Sequence, residues 1–311
     1  MRISPLAAVV PLLALSAFSP ATAPLGQPQV CVTMISISGH SGDKGTPIRV
    51  CLPVAQIPDS APAAEPTVKP NSGHPRTTGS ETGYPTVGKF LFKVAHLVSF
   101  NCTGTVISAL SGRPAFVLLA AHCLYGDYHD VTYRTGNWRF VPEWHDNTAP
   151  LGTWSIDHAY YPSLWPDDCH LGHCDFNAQY DFALLVIKPL NSQLLGSVTG
   201  SDGWAVNEPD TVSVTVAGIP GNSSETLVSR AVSHTVHPAG YDARQASTPG
   251  FGAGSSGGPW FYSYSATEKI GDVLGDTGGY QEGGDKDSPS YSPFLTGYFA
   301  AMVAAASGQE Q

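Results

Sequence analysis

The chain has 311 residues, enough for one large or two modest domains, and carries a formal net charge of −10 with only 13% charged residues. That balance excludes nucleic acid as the main partner, because phosphate backbones are bound by clustered Lys and Arg. Gly (33) and Pro (26) are plentiful, which suits many short strands joined by turns and argues against long helices.

Residues 1–23 read as a secretory signal. Arg2 supplies a minimal basic start, Leu6 to Phe18 is apolar, and Ala21-Thr22-Ala23 is a small-residue cleavage box. Pro5, Pro11 and Pro20 interrupt the stretch, which falls short of the roughly 20 apolar residues of a membrane helix. Secretion, no membrane span and a monomeric state are the expectations. Six cysteines fit that compartment. Residues 24–83 read as a pro-segment or N-terminal arm with a linker. Within them Cys31 to Val54 alternates as a strand pair does, with Cys31 and Cys51 placed to close a hairpin. Residues 55 to 83 are rich in Pro, Ser, Thr, Gly and Ala with no apolar period, and Lys69 and Arg76 are candidate cleavage points.

From Thr86 the pattern becomes β-like. Strands are expected over Val87–Val94, Thr103–Leu110, Phe116–Ala121, Phe182–Ile187 and Val212–Gly218, with weaker ones over Thr226–Val236 and Ile270–Leu274. The aromatic-rich stretch from Trp138 to Trp165 reads as packing and loop anchors. Tyr298 to Ala306 is the best helix and closes the chain. Short strands at regular spacing indicate barrels or sandwiches.

Three segments carry chemistry. Leu119-Ala120-Ala121-His122-Cys123 puts a histidine at the end of an apolar strand. Asp181 opens the apolar run Phe182–Ile187. Gly254-Ser255-Ser256-Gly257-Gly258-Pro259 holds a serine on a glycine-flanked turn. Serine is a weak nucleophile until a base takes its proton, and a histidine base needs a carboxylate to fix its tautomer and steady the imidazolium. His122, Asp181 and Ser256 supply one of each, in the chain order His, Asp, Ser. The backbone N–H groups of Gly254 and Ser256 are the expected oxyanion donors, each worth roughly 3 kcal/mol when aimed correctly. Of the fifteen formally possible pairings the local scheme is the most economical: Cys102 is expected to pair with Cys123, since a bridge there would pin the histidine turn to a neighbouring strand. Cys169 and Cys174 pair locally, although Cys169-His170-Leu171-Gly172-His173-Cys174 also has the residue types of a zinc site. A small disulfide loop is preferred there, and no metal or cofactor is expected.

These residues resemble the chymotrypsin/trypsin superfamily of secreted serine endopeptidases. The likeness covers roughly Val87 to Tyr298, rests on the histidine, aspartate and serine boxes, and is closest to the glutamyl-endopeptidase-like (V8-like) microbial branch. It implies an all-β fold of two antiparallel six-stranded Greek-key barrels with the active site in the cleft between them and a short C-terminal helix. The first barrel would span 84–190 and the second 191–311. The implied activity is hydrolysis of protein or peptide substrates through an acyl-enzyme. Ser255 stands where the trypsin branch has an aspartate, so an ammonium–carboxylate activation switch at that place is excluded. By spacing, Gly250 falls at the floor of the specificity pocket, and Asp276, Thr277 and Gly278 fall at its wall. Asp276 there would repel an acidic P1 side chain and favour a basic or polar one. Two alternatives are a catalytically silent homologue acting as a binding module, and a serine esterase. The esterase order places His last, whereas here it comes first.

Overall fold

The computed structural model describes residues 28–38, 43, 45–67, 83–94, 98–110, 114–124, 135–170, 173–221, 223–285 and 289–310. The expected signal segment 1–23 and both candidate cleavage points, Lys69 and Arg76, lie outside them.

In chain order the N-terminal arm forms β1 (Gln29–Ile37), β2 (Thr46–Pro53) and β3 (Ser60–Ala61). Then come β4 (Val87–Val94), β5 (Val98–Ile107), β6 (Phe116–Leu119), β7 (Thr135–Pro142) and β8 (Trp154–Pro162). A hairpin of β9 (Pro166–His170) and β10 (His173–Phe176) precedes β11 (Ala183–Ile187) and a short helix α1 (Leu195–Thr199). The second half holds β12 (Gly203–Ala205), β13 (Thr211–Gly218), β14 (Leu227–Val236), β15 (Ala243–Ala246), β16 (Pro259–Ser265), β17 (Ile270–Asp276) and β18 (Ser290–Pro293), and ends in helix α2 (Gly297–Gln309).

Apart from the two-stranded β9–β10 hairpin, the strands build two large sheets. In the first, β11-β6-β5-β4-β7-β8 closes on itself through β8–β11, giving a six-stranded antiparallel barrel, and β1-β2 extends it from β8. The second runs β18-β15-β14-β13-β16-β17-β12-β3 and curls into a half-barrel. This is the all-β, chymotrypsin-like two-barrel fold that the resemblance implies, with strands of the N-terminal arm added to each half.

The local reasons are simple. β6 is a continuous apolar run, Phe-Val-Leu-Leu, buried along its whole length, as a strand covered on both faces requires. β13 starts with strict alternation, its Thr211 and Ser213 exposed and its Val212 and Val214 buried, then becomes buried throughout as β14 and β16 flank it. The Thr296 hydroxyl caps α2 by accepting from the Tyr298 amide at 3.3 Å. The helix is alanine-rich and buried without a break from Phe299 to Ser307, lying against β1 and β2. Phe299 meets Phe182 of the first half and Trp204 of the second edge-to-face, at 5.4 and 5.6 Å between centroids. One apolar core thus runs between the two halves.

Trp138 to Trp165 packs into the first barrel as its aromatic content suggests, with Trp138, Trp154 and Trp165 all buried, and it also supplies the strands β7 and β8. One stretch differs from its sequence reading. Residues 55–67, polar and without period, nonetheless pair with the second half. β3 lies antiparallel to β12, Ala64 bridges Ser201, and the Ser108 hydroxyl donates to Pro62 O at 2.7 Å. Backbone pairing, the Ser108 hydroxyl and the packing of Ala61 and Ile57 hold this segment, and such short pairing leaves little hydrophobic signature. Cys31 and Cys51 face each other in the β1–β2 register and form a disulfide. Cys169 and Cys174 are directly opposed in the β9–β10 backbone register; their side chains lie outside the described set.

Candidate active site

His122 sits in a tight turn, Ala121–Cys123, that ends β6. The next residue, Cys123, is bonded to Cys102 on β5. The histidine is therefore held by a strand on one side and a covalent brace on the other, and its side chain is almost fully enclosed, at 4% exposure.

Asp181 follows the turn Ala178–Tyr180 and is completely buried. Its Oδ1 accepts the backbone N–H of His122 at 2.8 Å. Its Oδ2 stands 2.7 Å from His122 Nδ1 and accepts the Gly279 amide at 2.7 Å. Because both oxygens act as acceptors, Nδ1 carries the ring proton and the basic lone pair of the neutral imidazole is on Nε2.

Ser256 lies on the turn before β16. Its carbonyl accepts the Thr103 amide at 2.7 Å, and the Gly257 amide donates to Thr277 O at 2.7 Å. The Gly254 carbonyl accepts the Thr103 hydroxyl at 2.8 Å. The turn is thus clamped between β5 and the end of β17. Glycine is required at two places. Gly254 has φ +97°, and a Cβ there would meet Gly221 N at 2.4 Å. Gly257 has φ +80°, and its Cβ would meet Thr103 O at 2.3 Å. The amides beside the two expected oxyanion donors are committed elsewhere: Ser255 N donates to Gly252 O at 2.9 Å and Gly257 N to Thr277 O at 2.7 Å.

His122 and Ser256 line one cleft of about 240 Å³. Phe92, Phe100 and Asn101 form its wall on the first barrel. Phe251, Thr277, Glu282 and Asp285 form it on the second.

The residues assigned by spacing to the specificity pocket scatter. Thr277 lines the cleft, and its Oγ1 accepts the Trp260 indole N–H at 3.1 Å. Gly250 is exposed, at φ +91°, and is not among the cleft-lining residues. Gly278 is buried beside Asp181. Asp276 is fully enclosed and cannot meet a substrate side chain. β17 runs two residues further than its sequence pattern and ends on the enclosed Asp276, while Thr277, just past its end, lines the cleft. Burial, and then the nearby charge of Asp181, hold the Asp276 carboxyl well above the ordinary carboxylate range. The acidic residues that do reach the cleft, Glu282 and Asp285, went unnoticed in the sequence. Their signal is slight: a glycine-flanked loop in which Gln281 and Glu282 both take φ +52°.

Among the described residues, Cys102, His122 and Cys123 bring three metal-ligating atoms together. The two sulfurs are bonded to each other, so the group is not a metal site. No helix among the described residues is long and apolar enough to cross a membrane.

No protein-family model matches the sequence, and no curated protein matches it. Solved structures do. The protease Anisep from Arthrobacter nicotinovorans superposes with a TM-score of 0.60 at 27% identity, over 74% of this chain and 98% of that one. A thermostable serine protease, AL20, from an extremophilic microorganism gives 0.60 at 19% identity, over 72% and 98%. The structural neighbours of this chain are serine proteases of the chymotrypsin fold.

Proposed function

We propose that the protein is a secreted serine endopeptidase in which Ser256 attacks the peptide carbonyl, His122 takes and returns the proton, and Asp181 orients the imidazole. The observation that carries this reading is the double grip of a buried Asp181 on His122, through backbone N–H and Nδ1 together, beside a cleft that Ser256 shares. A structural ion pair has no need to fix the tautomer and the backbone at once. In the forward step His122 Nε2 accepts the Ser256 proton as Oγ bonds to the carbonyl carbon. The oxyanion is received by the N–H groups of Gly254 and Ser256. His122 then protonates the leaving amine, and water repeats the cycle on the acyl-enzyme.

The neighbours' activity supports a peptidase over an esterase, and the His-first order agrees. Secretion rests on the N-terminal sequence and on the two disulfides. For substrate choice, the acidic wall of Glu282 and Asp285 takes the place given by spacing to Asp276, and a basic or polar P1 residue fits it.

The test is labelling of the secreted protein with a serine-directed fluorophosphonate together with hydrolysis of casein. Both are expected in the wild type and lost in Ser256→Ala. Labelling without proteolysis of any peptide library would overturn the endopeptidase reading in favour of an esterase. No labelling would leave the silent binding module.

A further inference from the structure

Asp276 is a buried carboxyl with no hydrogen-bond partner at either oxygen. Its amide is engaged, donating to the Ser292 hydroxyl at 3.0 Å, and its strand position is opposite Pro259. The side-chain oxygens are unserved. An apolar residue of similar volume would be the stable choice in such a place, since an unsatisfied buried polar group costs free energy even when neutral.

Its location is specific. The point where a Cβ on Gly278 would stand is 2.9 Å from Asp181 Oδ2 and 3.3 Å from Asp276 Oδ2. Two carboxyls from different halves of the molecule therefore border one small space, which the missing side chain of Gly278 leaves open. The same Oδ2 of Asp181 stands 2.7 Å from His122 Nδ1. We propose that Asp276 is a positioning residue of the relay: its carboxyl backs Asp181 across Gly278 and sets how strongly Asp181 holds the imidazolium of His122. This rests on the peptidase reading for its meaning, but not for its measurement.

The argument is one of charge. Asp181 receives three N–H donors, while Asp276 receives none from any other residue. When two acids share a buried site, the one without donors keeps its proton. Asp181 is the one charge acting on Asp276 among the described residues, and the group facing it from β18 is the Ser292 hydroxyl, itself bonded to Pro293 O at 2.9 Å. A neutral acid leaves the pair with a single negative charge, and its O–H dipole, turned to Asp181, moderates the pull on His122. Two negative charges would instead hold the imidazolium so tightly that His122 would be a poor base at neutral pH.

The titration midpoint of the His122 imidazole, read by NMR and assigned with His122→Ala, tests this without requiring turnover. Asp276→Leu removes the dipole, and its midpoint is expected to rise by about half a pH unit. Asp276→Asn keeps a donor dipole and is expected to hold the wild-type midpoint. On peptide substrates Asp276→Leu should lower kcat severalfold with KM unchanged, and Asp276→Asn should restore part of the loss. An infrared difference spectrum, wild type minus Asp276→Asn at neutral pH, should show the C=O band of a protonated carboxyl. That arm stands even if the leucine variant fails to fold. A fall of the midpoint in both variants, or an absent infrared band, would show a charged Asp276 and overturn the proposal. Identical midpoints in wild type and Asp276→Leu would show an acid uncoupled from the relay and overturn it equally. If the wild type proves inactive while the midpoints move as stated, the peptidase reading fails and the coupling survives.

Discussion

The Gly279 amide donates to Asp181 Oδ2 at 2.7 Å across 98 residues of sequence, to the oxygen that also faces His122 Nδ1. The acid from the first half is thereby oriented by the backbone of the second. Gly279 takes φ +74°, and a Cβ there would lie 3.0 Å from Ala178 O, on the turn that delivers Asp181. Gly279→Ala is expected to cost about 1 kcal/mol of stability through left-handed strain. It should also lower kcat/KM more than that loss explains, because Asp181 shifts. Chemical denaturation and steady-state kinetics on the same preparation check both.

Asp181→Asn keeps the shape of the site but offers His122 Nδ1 the choice of the wrong tautomer. A drop in kcat of about 10⁴-fold is expected, the size seen for the same change in a well-studied triad. A loss below tenfold would remove Asp181 from the relay.

The Cys102–Cys123 bridge closes a chain separation of 21 residues around the histidine turn. Replacing both cysteines with alanine is expected to cost about 3 kcal/mol. Activity at a temperature where the variant is still folded should also fall, because β5 carries Thr103, which holds the Ser256 turn. Urea unfolding midpoints compared with fluorophosphonate labelling rates separate the two effects.

Asp202 joins the two halves. It accepts the Thr105 hydroxyl at 2.6 Å and the Gly271 amide at 3.0 Å. Burial pushes its carboxyl up to about 7. A folded-state value above the unfolded one means that the folded chain holds the extra proton. This contribution is complete below the unfolded pKa of about 4 and is lost as pH climbs toward 7, on the order of 4 kcal/mol in all. Asp202→Asn should flatten the stability-versus-pH curve between these limits. A wild-type curve that rises from pH 5 to 7 by an amount unchanged in the variant would exclude the assignment.

Glu282 and Asp285 line the cleft beside Ser256. The double change Glu282→Gln, Asp285→Asn is expected to reduce cleavage after Lys and Arg about tenfold relative to uncharged residues in a P1-varied library. Strong wild-type cleavage after Glu would end the proposed preference.

Much of this was legible in the sequence. Apolar runs such as Phe116–Leu119 and Ala183–Ile187 announce buried strands because burial on both faces demands them. His122 closes such an element and Asp181 opens one, while Ser256 stands out by the glycine-flanked turn before β16. β3 was invisible because two residues held by backbone hydrogen bonds carry no apolar period. Asp276 was misplaced because spacing counts residues along the chain but not where the strand ends: a shift of one position exchanges cleft and interior. Glu282 and Asp285 lie in an irregular loop, where side-chain direction depends on left-handed backbone angles that sequence pattern does not encode.

The N-terminal arm occupies strand positions on both halves, with β1 along β8 and β3 along β12. Recombinant fragments designed to begin near residue 83, on the idea that everything earlier is dispensable, would bare two rows of backbone donors and acceptors at once. Such unprotected borders recruit other chains. Precipitation of a trimmed preparation would then report missing sheet partners rather than an intrinsically unstable pair of barrels, and supplying residues 28–67 in trans would be the remedy to try first.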